Sequence, residues 1–74
     1  MDNRVELMKR LQGNMSQNEF ALVLDVTPAY ISRVYSGDRE PGTAIVRGLL
    51  RAFPDARDEV LGVWYLGETE AANG

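Results

Sequence analysis

The sequence has 74 residues, of which 45% are hydrophobic and 26% are charged, a composition typical of one small globular domain and not of a disordered chain. It contains neither cysteine nor histidine, which excludes a disulfide framework, a structural zinc site and any catalytic pair built on those residues. The longest apolar runs are a few residues long, so we predict no signal peptide, no membrane span and a cytoplasmic protein.

The net charge of −3 is concentrated towards the C-terminus. Residues 1–53 carry seven basic and six acidic residues, whereas residues 54–74 carry one basic and five acidic residues. A face that presents the arginines can still meet phosphates, so this charge does not exclude a nucleic-acid ligand. It does predict modest non-specific affinity that depends steeply on salt.

The first predicted helix spans residues 3–12. Asp2 or Asn3 is its expected N-terminal cap, and Gly13 with Asn14 ends it. Apolar residues recur at helical spacing and define the side that faces the core: Val5, Leu7, Met8 and Leu11.

The second predicted helix begins after Ser16, a good cap residue that Glu19 completes as a capping box. It ends near Leu24, because the next start signal follows almost at once. Its inward residues are expected to be Phe20, Ala21 and Leu24, with the small Ala21 allowing the next helix to cross closely.

The third predicted helix begins at Thr27 and Pro28, a cap residue followed by proline at the first helical position, and Gly37 ends it. Only Asp25 and Val26 remain to reverse the chain between the two helices. Such a tight turn usually needs a residue with positive φ, which Asp25 can supply. The remaining inward positions are Val26, Ile31 and Val34.

This stretch resembles the helix-turn-helix of the lambda-type repressor and Cro (XRE) family, whose recurrent pattern is SQ-x3-A-x4-V-x4-ISR-x3-G-x-R-x-P. The matching residues are Gln17, Ala21, Val26, Ile31, Ser32, Arg33, Gly37, Arg39 and Pro41. The resemblance extends loosely over residues 5–66 and implies one helix before the helix-turn-helix and two after it. The sequence departs from the family at Asp25, which replaces the usual turn glycine, and at Pro28 and Ala29, which offer no long polar side chain.

The fourth predicted helix opens at Gly42 and Thr43, with Thr43 as its cap, and Gly48 in its middle indicates a close helix contact. Pro54 ends it, and Asp55 is the expected cap of a fifth helix that runs to Gly67. We therefore predict an all-α fold, a compact bundle of five short helices. The domain would span residues 1–67, followed by a disordered acidic tail at residues 68–74.

The third helix is the candidate for the major groove of DNA, which is about 12 Å wide and admits one helix. Its outward residues near the N-terminus are predicted to read bases: Pro28, Ala29, Ser32 and Arg33. Arg33 suits a bidentate contact to guanine, although it could instead lie on the surface or contact a phosphate.

Phosphate contacts are predicted around the ends of the neighbouring helices, where backbone N–H groups favour anions. The candidates are Gln17, Tyr30, Arg39, Thr43 and Arg47, together with Arg10, to which the resemblance gives this role. Alternatives stay open for several of them. Gln17 could simply be solvated, Arg10 could serve its own helix dipole, and Tyr30, like Tyr35, could pack at a helix edge.

The C-terminal segment raises the question of a partner, because it holds more apolar surface than one helix face needs. We predict a homodimer interface there, formed by Val63, Trp64, Tyr65 and Leu66. A two-fold dimer would read a pseudo-palindromic operator through half-sites about 34 Å apart. The alternative is that these residues only pack in the core.

Two functions compete on these grounds. The first is a sequence-specific transcriptional regulator of the small repressor or Cro kind found in phages and mobile elements, with double-stranded DNA and possible regulatory proteins as partners. The second is a protein-interaction module, an antitoxin or adaptor that binds through its aromatic C-terminus. An enzyme is disfavoured because five short helices leave little room for a pocket. No metal, cofactor or small-molecule ligand is predicted.

Overall fold

Five α-helices account for most of the computed structural model, which describes residues 2–66. They are α1 (Asn3–Gln12), α2 (Gln17–Leu24), α3 (Pro28–Ser36), α4 (Thr43–Ala52) and α5 (Arg57–Leu61). A 3-10 turn (Pro54–Ala56) precedes α5, and a π-helical turn (Gly62–Leu66) follows it. The predicted all-α bundle of five short helices is confirmed. The predicted end of the domain at Gly67 and the tail at residues 68–74 lie outside the described residues.

Side-chain caps set the starts of the first three helices, as predicted. The Asp2 carboxylate accepts a backbone N–H two residues on, at 2.9 Å. Ser16 and Glu19 form the complete capping box, with N···O distances of 3.0 and 2.9 Å. The Thr27 hydroxyl accepts the N–H three residues on, at 3.1 Å, and Pro28 occupies the first helical position. Each such cap stabilises its helix by about 1 kcal/mol.

The predicted caps of the last two helices are wrong. Thr43 is already helical, and the cap of α4 is Gly42, whose carbonyl accepts the first helical N–H groups in a backbone-only cap. Asp55 lies inside the 3-10 turn that Pro54 begins, and the residue before α5 is Ala56, with no side-chain cap. In both places the backbone makes the turn itself, so a nearby polar side chain does not mark the helix start.

The turn between α2 and α3 depends on Asp25, which adopts the left-handed conformation with φ 62° and ψ 44°. It is the one non-glycine residue with positive φ within residues 2–66. The N–H of Val26 closes the turn on the Ala21 carbonyl at 3.0 Å. The predicted tight reversal is confirmed. The left-handed conformation is less unfavourable for Asp than for most other residues, so its conformational cost is modest.

One hydrophobic core joins the helices and fixes the orientation of α3. Its buried residues come from every helix: Leu7, Met8, Phe20, Ala21, Leu24, Ile31, Val34, Ile45, Val46, Leu49 and Val60. The helices α2 and α4 approach closely at Gly48, where an added Cβ would lie 2.6 Å from the Leu24 carbonyl oxygen. The predicted close contact at Gly48 is therefore confirmed, and it holds α4 against the helix-turn-helix.

Candidate nucleic-acid interface

The outward face of α3 carries the residues predicted to read bases. Ile31 and Val34 of the same helix are 0% and 1% exposed, so the helix is fixed by its inner face. With a period of 3.6 residues, the other side then faces solvent. All four predicted base-reading residues are exposed: Pro28, Ala29, Ser32 and Arg33.

Arg33 is the strongest candidate on this face. Its guanidinium takes part in none of the ion pairs found within residues 2–66. It lines an open depression of about 240 Å³ with Arg39 and residues 27, 29 and 30. Two positive charges therefore share one concave surface beside the exposed side of α3, where a polyanion gains from both.

Tyr30 makes contacts beside this surface with both its ring and its hydroxyl group. The Arg39 guanidinium lies 5.5 Å from the centroid of the Tyr30 ring, a cation–π contact. The Tyr30 hydroxyl donates to the Glu40 carbonyl and accepts the Gly42 N–H, both at 3.1 Å. The structure thus shows the packing role for Tyr30, and its phosphate contact stays a prediction.

Tyr35 lies away from that surface and packs against α1. Its hydroxyl donates to Gln12 Oε1 at 2.6 Å, and the Lys9 ammonium lies 5.2 Å from its ring centroid. Burial raises the pKa of Tyr35 to about 12, so the phenol stays neutral and keeps this bond. Packing is therefore the role that the structure shows for Tyr35.

A second basic surface lies at the exposed side of α4. Thr43 and Arg47 are both exposed there. Arg47 lines a depression of about 240 Å³ together with Arg51, Asp25 and residues 24 and 44. Arg51 was not among the predicted contacts, although its position one helical turn after Arg47 is a signal that the sequence offered. The carboxylate of Asp25 offsets part of this positive charge.

Two further predicted phosphate contacts are exposed but differ in their surroundings. Gln17 occupies the first position of α2, where the helix has free N–H groups. Arg10, by contrast, forms an ion pair with Glu59 of α5. Periodicity and caps could not have revealed that pair, because its members are 49 residues apart.

The four residues of the C-terminal turn that were predicted to form an interface differ in their burial. Val63 and Trp64 are half-buried against the chain's own core, and the Trp64 indole N–H donates to the Pro41 carbonyl at 2.7 Å. Tyr65 and Leu66 remain 61% and 70% exposed. Core packing, the alternative that the sequence left open, thus describes Val63 and Trp64, and the interface prediction rests on Tyr65 and Leu66.

Within residues 2–66, no cluster of three or more acidic side chains is arranged to hold a metal ion. None of the helices there is long and apolar enough to cross a bilayer.

Comparisons with known proteins identify a helix-turn-helix in this chain. A family model described as helix-turn-helix matches residues 7–54, which contain α2, α3 and α4. A Bacillus subtilis (strain 168) protein described as the uncharacterized HTH-type transcriptional regulator YvzC is 36% identical over 47 residues. The matched region covers 64% of this chain and 61% of that relative, so the chain spans about three fifths of the relative's length. No solved structure matches the chain.

Proposed function

The chain belongs to the Cro/C1-type (XRE) helix-turn-helix family of DNA-binding transcriptional regulators, which is not a family of enzymes, and we propose that it reads an operator with α3 in the major groove. The observation that carries this proposal is the exposed outer face of α3, with Arg33 unpaired in the described chain beside Arg39.

Base readout follows from the side chains on that face. The Arg33 guanidinium donates two parallel hydrogen bonds to O6 and N7 of a guanine, which discriminates against a wrong base by roughly 1–3 kcal/mol. Ser32 bonds to either a donor or an acceptor. Pro28 and Ala29 offer van der Waals contact that suits a thymine methyl group. The operator is therefore expected to combine a guanine with neighbouring thymines.

Phosphate contacts on either side of α3 hold the helix in register. Gln17 supplies one at the start of α2, and Arg39, Thr43 and Arg47 supply others at the start of α4. Arg10 joins them only when its guanidinium leaves Glu59. These contacts supply affinity that falls as salt rises, and they carry no sequence information.

A homodimer completes the proposal. One helix in one groove makes few base contacts, whereas a two-fold dimer places two such helices about 34 Å apart on a pseudo-palindrome. Tyr65 and Leu66 supply the exposed apolar surface for that interface. Covering them in a dimer removes this surface from water and stabilises a domain whose own core is small.

The test begins with selection of bound duplexes from a randomised DNA pool. Affinity for the selected duplex is then measured by fluorescence anisotropy for the native chain and for Arg33→Ala. We expect a loss of roughly 5-fold to 150-fold, the equivalent of about 1–3 kcal/mol, with preference lost at one guanine.

Arg57→Ala is the matched control, because it removes an exposed arginine of α5 outside the proposed surface. We expect less than about a twofold change for it, as for a distant charge that is screened by salt. Equal losses in the two variants, or a pool from which no duplex is enriched, would contradict the proposed readout.

A second function, binding of another protein through the C-terminal turn, is favoured by the exposure of Tyr65 and Leu66. The same measurements separate the two functions. If Arg33→Ala loses the duplex and keeps a protein partner, the regulator holds. If the native chain binds no duplex even at low salt, the result favours the second function, binding of another protein.

A further inference from the structure

The loop between α3 and α4 is held at its backbone by side chains from two other parts of the fold. The Tyr30 hydroxyl of α3 binds the carbonyl of Glu40 and the N–H of Gly42, both at 3.1 Å. Between them, the carbonyl of Pro41 accepts the Trp64 indole N–H at 2.7 Å. Three consecutive loop residues are thus fixed by one ring from the helix-turn-helix and one from the C-terminal turn.

This loop carries one proposed phosphate anchor and leads directly to another. Arg39 lies in the loop and stacks on the Tyr30 ring at 5.5 Å, and Thr43 begins α4 one residue after Gly42. The backbone N–H groups of Asp38 and Arg39 donate to the Arg33 carbonyl at 2.9 and 3.2 Å, which ties the first half of the loop to the end of α3. The bonds from Tyr30 and Trp64 fix its second half, residues 40–42, which leads into α4.

From this arrangement we propose that Trp64 is a positioning residue for DNA binding. The inference rests on the proposed function and assigns the indole N–H a specific part in it. By binding the Pro41 carbonyl, Trp64 fixes the position of the loop. In that position, Arg39 and the start of α4 can contact the same phosphate backbone. Trp64 itself touches no DNA, because it is half-buried and its N–H is already bound.

A role of this kind differs from simple core packing. Packing requires only the apolar ring, which phenylalanine largely replaces. Positioning requires the N–H, which phenylalanine lacks, and its loss leaves the carbonyl of the buried Pro41 without this partner. The loop then gains freedom, and Arg39 loses the fixed geometry that suits a charge-assisted bond to phosphate.

The experiment compares Trp64→Phe with the native chain on the selected duplex over a range of salt concentrations. We expect affinity to fall about threefold to tenfold, and the slope of log K against log salt to become shallower by about one, the share of one phosphate contact. In an Arg39→Ala background, Trp64→Phe should cause a smaller loss than in the native chain, because one of the two anchors that it positions is already absent. Tyr30→Phe, which removes the other loop bonds, should behave in the same way.

Val63→Ala is the matched control, since it trims the half-buried neighbour that packs on the core without touching the loop bond. It is expected to lower the melting temperature and to leave the salt slope unchanged, with every variant confirmed as folded by circular dichroism.

The outcomes separate the two proposals. If Trp64→Phe keeps native affinity and slope while Arg33→Ala loses the duplex, the positioning role is overturned and the proposed function stands. Additive losses with Arg39→Ala, or an equal change of slope in Val63→Ala, also overturn it. If the native chain binds no selected duplex, the proposed function itself fails.

Discussion

The ion pair between Arg10 and Glu59 is expected to affect DNA binding more than it affects the stability of the fold. The pair joins α1 to α5, and its side chains are 60% and 45% exposed. Ion pairs with that much exposure contribute at most about 1 kcal/mol to stability. However, the Glu59 carboxylate binds the Arg10 guanidinium, to which the resemblance assigns a phosphate contact. If Arg10 contacts a phosphate as proposed, Glu59 competes with DNA for it.

We predict that Glu59→Gln strengthens binding of the selected duplex about twofold to fivefold, because Arg10 becomes free for a phosphate at low cost in a solvated pair. In an Arg10→Gln background the same change should give no gain. Fluorescence anisotropy of the four proteins measures this coupling.

The control is Asp58→Asn, which removes a neighbouring exposed carboxylate that forms no ion pair within residues 2–66. An equal gain from Asp58→Asn would show that net charge, and not the pair with Arg10, governs the affinity.

At the scale of the elements, local signals explain why the first three helices were predictable. Ser16 with Glu19, and Thr27 with Pro28, act on backbone groups within three residues of themselves, so their effect is visible in the sequence. The last third of the chain follows tertiary contacts instead. Gly42 adjoins Pro41, whose carbonyl accepts the Trp64 indole N–H from the π-helical turn, a contact that no local pattern records.

The candidate site divides in the same way. The outward position of Arg33 follows from the helical period once Ile31 and Val34 are buried. The partners of Arg10 and Trp64 lie 49 and 23 residues away in sequence, and only the folded chain brings them together.

The crossing of α2 and α4 yields a prediction for stability. Alanine favours a helix over glycine by about 1 kcal/mol. A Cβ at residue 48 would nevertheless lie 2.6 Å from the Leu24 carbonyl oxygen, which belongs to the backbone and cannot turn aside. We expect Gly48→Ala to lower the free energy of unfolding by about 2–3 kcal/mol, as overpacking does, when it is measured by urea denaturation.

Gly42→Ala is the matched substitution, because its Cβ would meet the Tyr30 hydroxyl at an ordinary 3.7 Å. It should cost less than about 1 kcal/mol, the effect of alanine at a helix cap. Similar losses of unfolding free energy at both glycines would show that the close approach of the two backbones does not explain the need for glycine at position 48.

For the whole molecule, we expect the exposed C-terminal turn to set the oligomeric state. We predict that Leu66→Ser converts a dimer into a monomer at micromolar concentration, because it removes an apolar side chain that is 70% exposed in the single chain. Analytical ultracentrifugation measures this, alone and with the selected duplex. DNA affinity should fall with it, since each monomer reads only one half-site.

Leu22→Ser provides the comparison, as Leu22 is 81% exposed on α2 and lies outside the C-terminal turn. It should leave the dimer intact. A native chain that sediments as a monomer both free and on DNA would refute the dimer.

The bond between Trp64 and Pro41 also gives the protein a built-in optical probe. The sequence contains one tryptophan, and its indole N–H donates to the Pro41 carbonyl in the loop between α3 and α4. Its emission therefore reports a single place in the fold without any label. Arrival of DNA at the loop, or of another chain at the adjoining Tyr65 and Leu66, is expected to shift that emission, so intrinsic fluorescence can follow both events in the unmodified protein.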